Sequence, residues 1–511
     1  MLSMSDESSY LFLGVKLLSL GFPAASWGPL YALWYYLLSL FQPAPLELYF
    51  LSAALIAAGL PIALFLLALS LDIPLSVALL IALGFLTSMF NFPVYPKVTN
   101  FAFIFICLTL VAAKRLPSAL AAFAVLALGA LIAAYIRPEY SLALVIFLAI
   151  VLFLVIGRLA KRQRLGRIEA LALALLFVSG VLFIFRFGIP IGDRSFVAFG
   201  QHFQINHANW KKTGPIPFGD WQSTTRHYFG KADSIWTAWL NAPGAVAKHI
   251  QTNVVNTPVR AIRPFIYNSL QAPARYNKLV RRLNALLLLG VTIYAVLGRR
   301  RWMAKAGVNW RDNRTIIIGL AVFSLPPLLS CLIIYPRFHY LVLLNLPLVL
   351  IIALFLTGKT VNEQWDTAIC AILLCLLLII NPVISKQSEY GRRALRNNNM
   401  LTTMIAEMTS LAGGREANFL ATGQFDSFLG ANLKYVDVDS KEAVSFPLFI
   451  RARNIRLIVV NYNLKNSQAY KSDPSFSRFL DHPELFGFKR LTIENSRDYI
   501  LYDQAFLKSR K

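Results

Sequence analysis

The sequence predicts a mainly α protein: a polytopic transmembrane helical bundle of about ten helices, with external interfacial helices and a small C-terminal α/β domain. Three observations lead there. Apolar runs of about 20 residues, the length that crosses a hydrocarbon core, recur along the chain. Hydrophobic residues are 57% of the 511 and charged ones only 15%, with a mean hydropathy of +0.56. Two long segments, 188–282 and 386–511, are polar by contrast.

In order, the expected spans are 46–70, 73–90, 97–113, 117–136, 140–157, 168–187, 283–298, 315–334, 338–357 and 367–385. Basic residues set their orientation. Lys114 and Arg115, then Arg158 to Arg167, then Arg299 to Arg314, then Lys359, fall at alternate helix ends, which are read as cytoplasmic. The chain therefore divides into an external juxtamembrane segment 1–45, spans over 46–187, an external loop 188–282, spans over 283–385 and an external soluble α/β domain 386–511. The formal charge of +25 would point to nucleic acid in a soluble chain. In a membrane protein the same residues gather on cytoplasmic loops and beside anionic headgroups, so the bilayer is the expected partner and nucleic acid is not.

Residues 1–21 are not expected to act as a signal peptide, because Asp6 and Glu7 replace the usual positive start and Lys16 interrupts the apolar core. With 46–70 running inward, residues 1–45 lie outside, and this parity leads us to expect a further helix upstream. The aromatic run 28–41 suits a helix lying in the interface, the alternative being a short tilted span. All four cysteines, Cys107, Cys331, Cys370 and Cys375, fall in apolar runs, which argues against disulfides.

The loop 188–282 is longer than a connection needs. It carries His202, His207, His227 and His249, but no tight pair with a companion carboxylate, and scattered surface or packed histidines are preferred to a metal site. In the tail, a helix over 400–411 and helical pieces at 425–433 and 475–480 alternate with short strands at 418–421, 435–438, 457–460 and 490–494. No phosphate-cradling glycine fingerprint accompanies them.

Ionisable groups at a membrane boundary invite explanation. Asp6-Glu7, Arg137-Pro138-Glu139 and Tyr335-Pro336-Arg337-Phe338-His339-Tyr340 all fall on the external face. Snorkelling side chains and an aromatic belt would explain the last two structurally. Their shared face supports a chemical reading as well: guanidinium groups match phosphate oxygens, and a carboxylate beside them can take a proton from an attacking hydroxyl.

Asp6-Glu7-Ser8-Ser9-Tyr10, a short helix, then Trp27-Gly28-Pro29-Leu30-Tyr31 resemble the first external loop of the GT-C glycosyltransferases that use polyprenyl-phosphate sugars. Protein O-mannosyltransferases and the lipid A aminoarabinose transferase belong to that superfamily. The resemblance extends more loosely to Arg137-Pro138-Glu139, to Arg337-Phe338-His339-Tyr340 and to the external C-terminal domain. It implies Asp6 as catalytic base with Glu7 as the neighbouring candidate, and Arg337, His339, Tyr340, Arg137 and Glu139 on the donor phosphate. It places Trp27, Tyr31 and His202 along the loops that meet the acceptor. Asn100 stands where many relatives carry a second acid, which leaves metal dependence open; no metal ligands are assigned, and a divalent ion remains compatible.

The implied activity is inverting transfer of a sugar from a polyprenyl-phosphate donor to a hydroxyl of a glycan, lipid or protein acceptor. It would occur on the outer face of a bacterial inner membrane. A transporter or flippase, an envelope assembly protein and a polysaccharide polymerase or ligase are the alternatives. A transporter predicts charges within the spans, and here these are scarce.

Overall fold

A computed structural model of the chain describes residues 6–86, 98–190, 194–212, 221–266, 299–356, 389–422 and most of 425–508. The expected spans 283–298 and 367–385, most of the turn 91–100, Cys370 and Cys375 lie outside these residues.

Near the start of the chain, α1 (Asp6–Val15) and α2 (Pro29–Ser39) lie against one another. Pro29 supplies a pre-set φ at the first turn of α2. Gly28 before it adopts φ +60°, and a Cβ there would stand 2.4 Å from the Ile136 carbonyl oxygen. Only glycine meets both demands. The interface between α1 and α2 is equally close: a Cβ on Gly14 would meet the Tyr35 Cβ at 2.3 Å.

The bundle follows as α3 (Pro45–Ser70), α4 (Leu75–Leu86), α5 (Val98–Lys114), α6 (Ala119–Ile136), α7 (Ser141–Ala160) and α8 (Arg167–Phe187). At its centre is α6, an alanine-rich helix with a Ser118 N-cap. Small side chains let its neighbours approach, as at Gly129, where a Cβ would lie 2.3 Å from Thr109 Cγ2. On α7 and α8 the pattern inverts: Phe153 is 75% and Phe185 91% exposed. Large apolar side chains turned outward along whole helices suit a lipid solvent and no aqueous one.

Among the described residues five helices are long and apolar enough to cross a membrane: Pro45–Ser70, Ala119–Ile136, Pro138–Ala160, Arg167–Phe187 and Trp310–Ile334. Leu75–Leu86, Val98–Lys114 and His339–Leu354 are apolar but shorter, so the expectation of about ten spans is met at five full-length helices. This is a membrane protein. At one end of the bundle Lys114 donates to the Asp312 carbonyl and to Asn313 Oδ1, at 2.8 and 2.6 Å, and Arg158 pairs with Glu169 at 2.6 Å. At the other end the Tyr135 hydroxyl donates to the Gly188 carbonyl, and Ser141 to that of Pro190.

The polar loop forms α9 (Arg194–Lys211), α10 (Trp221–Phe229), α11 (Ile235–Asn241) and α12 (Pro243–Ile266), joined by a core of Phe199, Phe203, Phe229 and Val246. The chain then continues as α13 (Arg299–Leu329), which closes in a π turn over Ser330–Ile334, and as α14 (Phe338–Leu356).

Helix α15 (Glu389–Ala412) leads into the C-terminal domain, a sheet in the order β2-β1-β3-β5-β4. Strands β1 (Ala417–Leu420), β2 (Leu433–Val436) and β3 (Ile455–Val460) are parallel; β4 (Phe488–Thr492) and β5 (Tyr499–Asp503) are antiparallel. Helices α16 (Phe446–Ala452) and α17 (Pro474–Asp481) cover one face through Phe446, Phe449, Phe476 and Phe479. The other face, with Phe419, Leu457 and Ile500, packs on Met404, Ile405 and Met408 of α15 and runs on into the bundle core. Two expectations are corrected here. Residues 425–433, read as helical, form a 3-10 turn over Phe425–Phe428 and then the start of β2. A fifth strand, β5, adds to the four expected; both its faces are covered, so no polar alternation marks it.

The turn Phe425–Phe428 docks the domain on α1 and α3, with the Phe428 ring 5.5 Å from that of Tyr49. Replacing Phe428 by Ala is expected to cost about 3 kcal/mol of this docking. Limited proteolysis should then release 389–508 faster while the melting of the bundle changes little.

Candidate functional site

The end of the bundle where α6 gives way to α7 and α13 to α14 collects most of the residues singled out in the sequence. Arg137 caps α6 just before Pro138, which cannot continue the helix. Its guanidinium pairs with Glu139 at 2.6 Å, donates to Thr99 Oγ1 on α5 and lies 5.3 Å from the Tyr340 ring centroid. Burial opposes this charge, but Glu139, Tyr340, Tyr10 and Tyr140 together outweigh it, and the Arg137 pKa is raised. The cation is permanent. Tyr140, fully buried, has no hydrogen-bond partner for its hydroxyl among the described residues.

The second half of the site follows the π turn. Pro336 and the hydrogen bond from Arg337 N to the Tyr335 carbonyl, at 2.7 Å, turn the chain so that Arg337 heads α14 with His339 and Tyr340 behind it. Arg337 acts electrostatically on both His202 and His339, and Arg137 also acts on His339. His202 is buried on α9, where its Nδ1 donates to the Ala198 carbonyl at 2.6 Å and its ring lies 5.1 Å from that of Tyr335. Tyr335 in turn accepts from Arg260 of α12 at 2.6 Å, with the guanidinium across its ring at 4.5 Å. Arg137, Glu139, Arg337, His339, Tyr340 and His202, distant in sequence, are thereby brought together.

What holds the turn in place is a buried polar network. A helix C-terminus leaves carbonyls unsatisfied, and here α12 covers them. Asn253 Nδ2 donates to the carbonyls of Leu332 and Ile334, at 3.0 and 3.3 Å, and His249 Nε2 donates to that of Ile334 at 2.9 Å. From α9, Asn206 Nδ2 donates to His249 Nδ1 and to Asn253 Oδ1, each at 3.0 Å. The network leaves His249 neutral with its proton on Nε2. Local sequence pattern marks neither this network nor Arg260, farther along the same helix, because their partners lie far away in the chain.

The two candidate acids part company. Glu7 is buried against α2, where its Oε1 accepts from the Tyr31 hydroxyl at 2.6 Å and also from that of Tyr35. Burial, and then the Glu7 carboxylate, raise the pKa of both tyrosines, which remain donors. Asp6 begins α1 and is half-buried. It lies one turn from Tyr10, on the helix face whose tyrosine acts on Arg137 and stacks edge-on to Tyr31 at 5.1 Å. Trp27, in the turn before Gly28, is 37% exposed. Asn100 is buried in the first turn of α5. Cys107 and Cys331 are buried free thiols. Among the described residues no three His, Cys, Asp or Glu side chains come together to hold a metal ion. No family model matches the chain, and no curated protein matches it.

Two expected outcomes follow from these geometries. Glu7→Gln keeps an acceptor for both tyrosines and should leave the melting temperature within a few degrees of the parent. Glu7→Ala strands two buried hydroxyls and should cost about 2 kcal/mol or more. Acid should loosen the loop. Burial lowers the pKa of His202 and of His249 from 6.5 to about 4. The unfolded chain takes up these protons first, so stability is complete above the unfolded pKa and falls as the pH drops toward the folded one, by roughly 3 kcal/mol per histidine at pH 4. Hydrogen exchange of 194–266 between pH 7 and pH 4 measures this, and His249→Gln should reduce the slope.

Proposed function

We propose that the chain is a membrane glycosyltransferase that moves a sugar from a polyprenyl-phosphate donor to an acceptor hydroxyl on the outer face of a bacterial inner membrane. The observation that carries this reading is the gathering of Arg137 and Arg337 with His339 and His202, next to the Arg260–Tyr335 pair and with Glu139 paired to Arg137, beside the helix that bears Asp6. Such an excess of fixed positive charge, preorganised in a partly desolvated end of the bundle, suits an anion whose charge grows during reaction. Planar guanidinium donors suit phosphate oxygens in particular.

In this reading Arg337 holds the donor phosphate. Arg137, tied to Glu139 and Thr99, fixes the wall of the site. Asp6 takes the proton of the acceptor hydroxyl as that oxygen attacks the anomeric carbon from the face opposite the phosphate. The bond from the anomeric carbon to the phosphate oxygen breaks, the phosphate keeps the electron pair, and the sugar inverts. Glu7 is assigned to position α1 through Tyr31 and Tyr35. The rate derives from orientation and from neutralising the leaving group.

The test is transfer from a short polyprenyl-phosphoryl sugar by the purified full chain in nanodiscs, followed as release of polyprenyl phosphate. Asp6→Asn is expected to lower kcat by roughly 100-fold or more with little change in KM. Arg337→Ala should raise KM and lower kcat together, and Glu7→Gln should stay within a few-fold of the parent. An Asp6→Asn protein as active as the parent removes the base from this scheme.

A further inference from the structure

We propose that α11 and the C-terminal half of α12 are seated in the bilayer: Val255 and Val259 face acyl chains, and Trp236 and Trp239 sit at the headgroup boundary of the same leaflet. The proposal needs only the assignment of the chain to a membrane and is independent of the transferase reading.

Helix α12 is inside out. The side chains it turns toward the protein are polar: His249, Asn253 and Thr257 are buried, serving the π turn and the helix's own backbone. The side chains it turns away include Val254, Val255 and Val259, the last two 65% and 66% exposed. A helix lying on a core in water shows the reverse, with its apolar stripe inward. In lipid the order inverts, because polar groups must be satisfied within the protein while apolar ones meet acyl chains outside it.

The outward row also changes along the axis, which locates the water boundary. It reads Lys248, Gln251, Val255, Val259, polar first and apolar thereafter, over about 16 Å. Its polar end is the one at which Lys248 lies over the Trp210 ring, 4.6 Å from the centroid. Such a row belongs to a helix that enters the bilayer from its N-terminal end. Helix α11, which packs on α12, carries Trp236, Trp239 and Leu240 on one exposed face, Trp236 being 68% exposed. Exposed tryptophans gather where hydrocarbon meets headgroups.

The companions of α12 fix its depth. Asn253 meets the carbonyls of Leu332 and Ile334, at the end of the apolar span Trp310–Ile334. Two turns later the Ala261 carbonyl accepts from Asn345 Nδ2 at 2.9 Å, and Asn345 lies about 10 Å into α14 from its start. Val255 and Val259 fall between these two levels, alongside apolar helix on both. Ala261 and Leu344 pack on a common cluster with Leu341, and one turn beyond Leu344 the side chain of Leu348 is exposed. The outward apolar surface of the bundle therefore runs on to α12. This continuity selects acyl chains as the occupant, in preference to a second copy of the chain.

The experiment is spin-label accessibility in the full chain, in phosphatidylcholine nanodiscs, with the four native cysteines replaced by alanine. Val255→Cys, Val259→Cys and Lys248→Cys carry the label in turn. Oxygen concentrates in hydrocarbon and a neutral nickel chelate in water. Labels at Val255 and Val259 are expected to collide mainly with oxygen, about 5 to 10 Å below the phosphates, and the label at Lys248 mainly with the chelate. Photolabelling of the unaltered chain by a phosphatidylcholine with a diazirine in its acyl chain needs no variant. It should mark 235–240 and 254–259 and spare the exposed Arg226 and His227 of α10. Labels at Val255 and Val259 that are open to the chelate overturn the proposal. Shielding from both reagents, as a second copy would give, also overturns it, as does photolabelling that spares both segments.

Discussion

A guanidinium removed from water must be met on every side, and at Arg137 that requirement ties four parts of the chain together. Glu139 supplies the counter-charge from the next turn, Thr99 an oxygen from α5, Tyr340 a ring face from α14, and Tyr10 a nearby hydroxyl from α1. Removing any one would leave a buried cation partly uncompensated, which is among the costlier defects a fold can carry. The position of α1, with its two acids, and that of α14, with Arg337, are thus both referred to one charge.

The two polar segments reach this end of the bundle by different physics. The loop helices are held by directional bonds: Asn206, His249 and Asn253 cover the carbonyls that the π turn leaves open. Such contacts fix angles, and the turn they fix is the one that carries Tyr335 and Arg337. The C-terminal domain is held by apolar area, through Phe425 and Phe428 on α1 and Tyr49 and through the sheet face that continues the bundle core. Apolar area fixes position with less regard to angle. This division suits a basic site that needs exact geometry beside a domain that need only stay close.

Glu7 and Asp6 are adjacent in sequence and differ by one helical step of direction. That step sends Glu7 into the Tyr31 and Tyr35 hydroxyls and leaves Asp6 on the side of Tyr10. Asp6, read as the base, and Glu7, read as its neighbouring candidate, are separated into a half-buried acid and a buried anchor by nothing more than the 3.6-residue period. His202 shows the complementary case: one of four histidines in the loop, it is singled out by the helix and turn packed against it.

Much of this was present in the chain itself. The apolar runs, the basic residues at alternate helix ends, the short aromatic helix α2 and the α/β tail follow from local composition and periodicity, because a lipid solvent and a strand or helix each impose a repeat that neighbouring residues record. Arg137, Glu139, Arg337, His339 and Tyr340 were legible for the same reason, as polar groups at apolar helix ends. Arg260 and the Asn206–His249–Asn253 network were not, since their partners lie some 43 to 85 residues away in sequence. The strand β5 was hidden by burial on both faces. What the sequence alone determined is which stretches are apolar enough for a membrane, which are polar loop and which make a mixed α/β tail. Which of its bases and acids meet was decided only in three dimensions, because a buried charge or carbonyl takes its partner from whatever the packing brings to it.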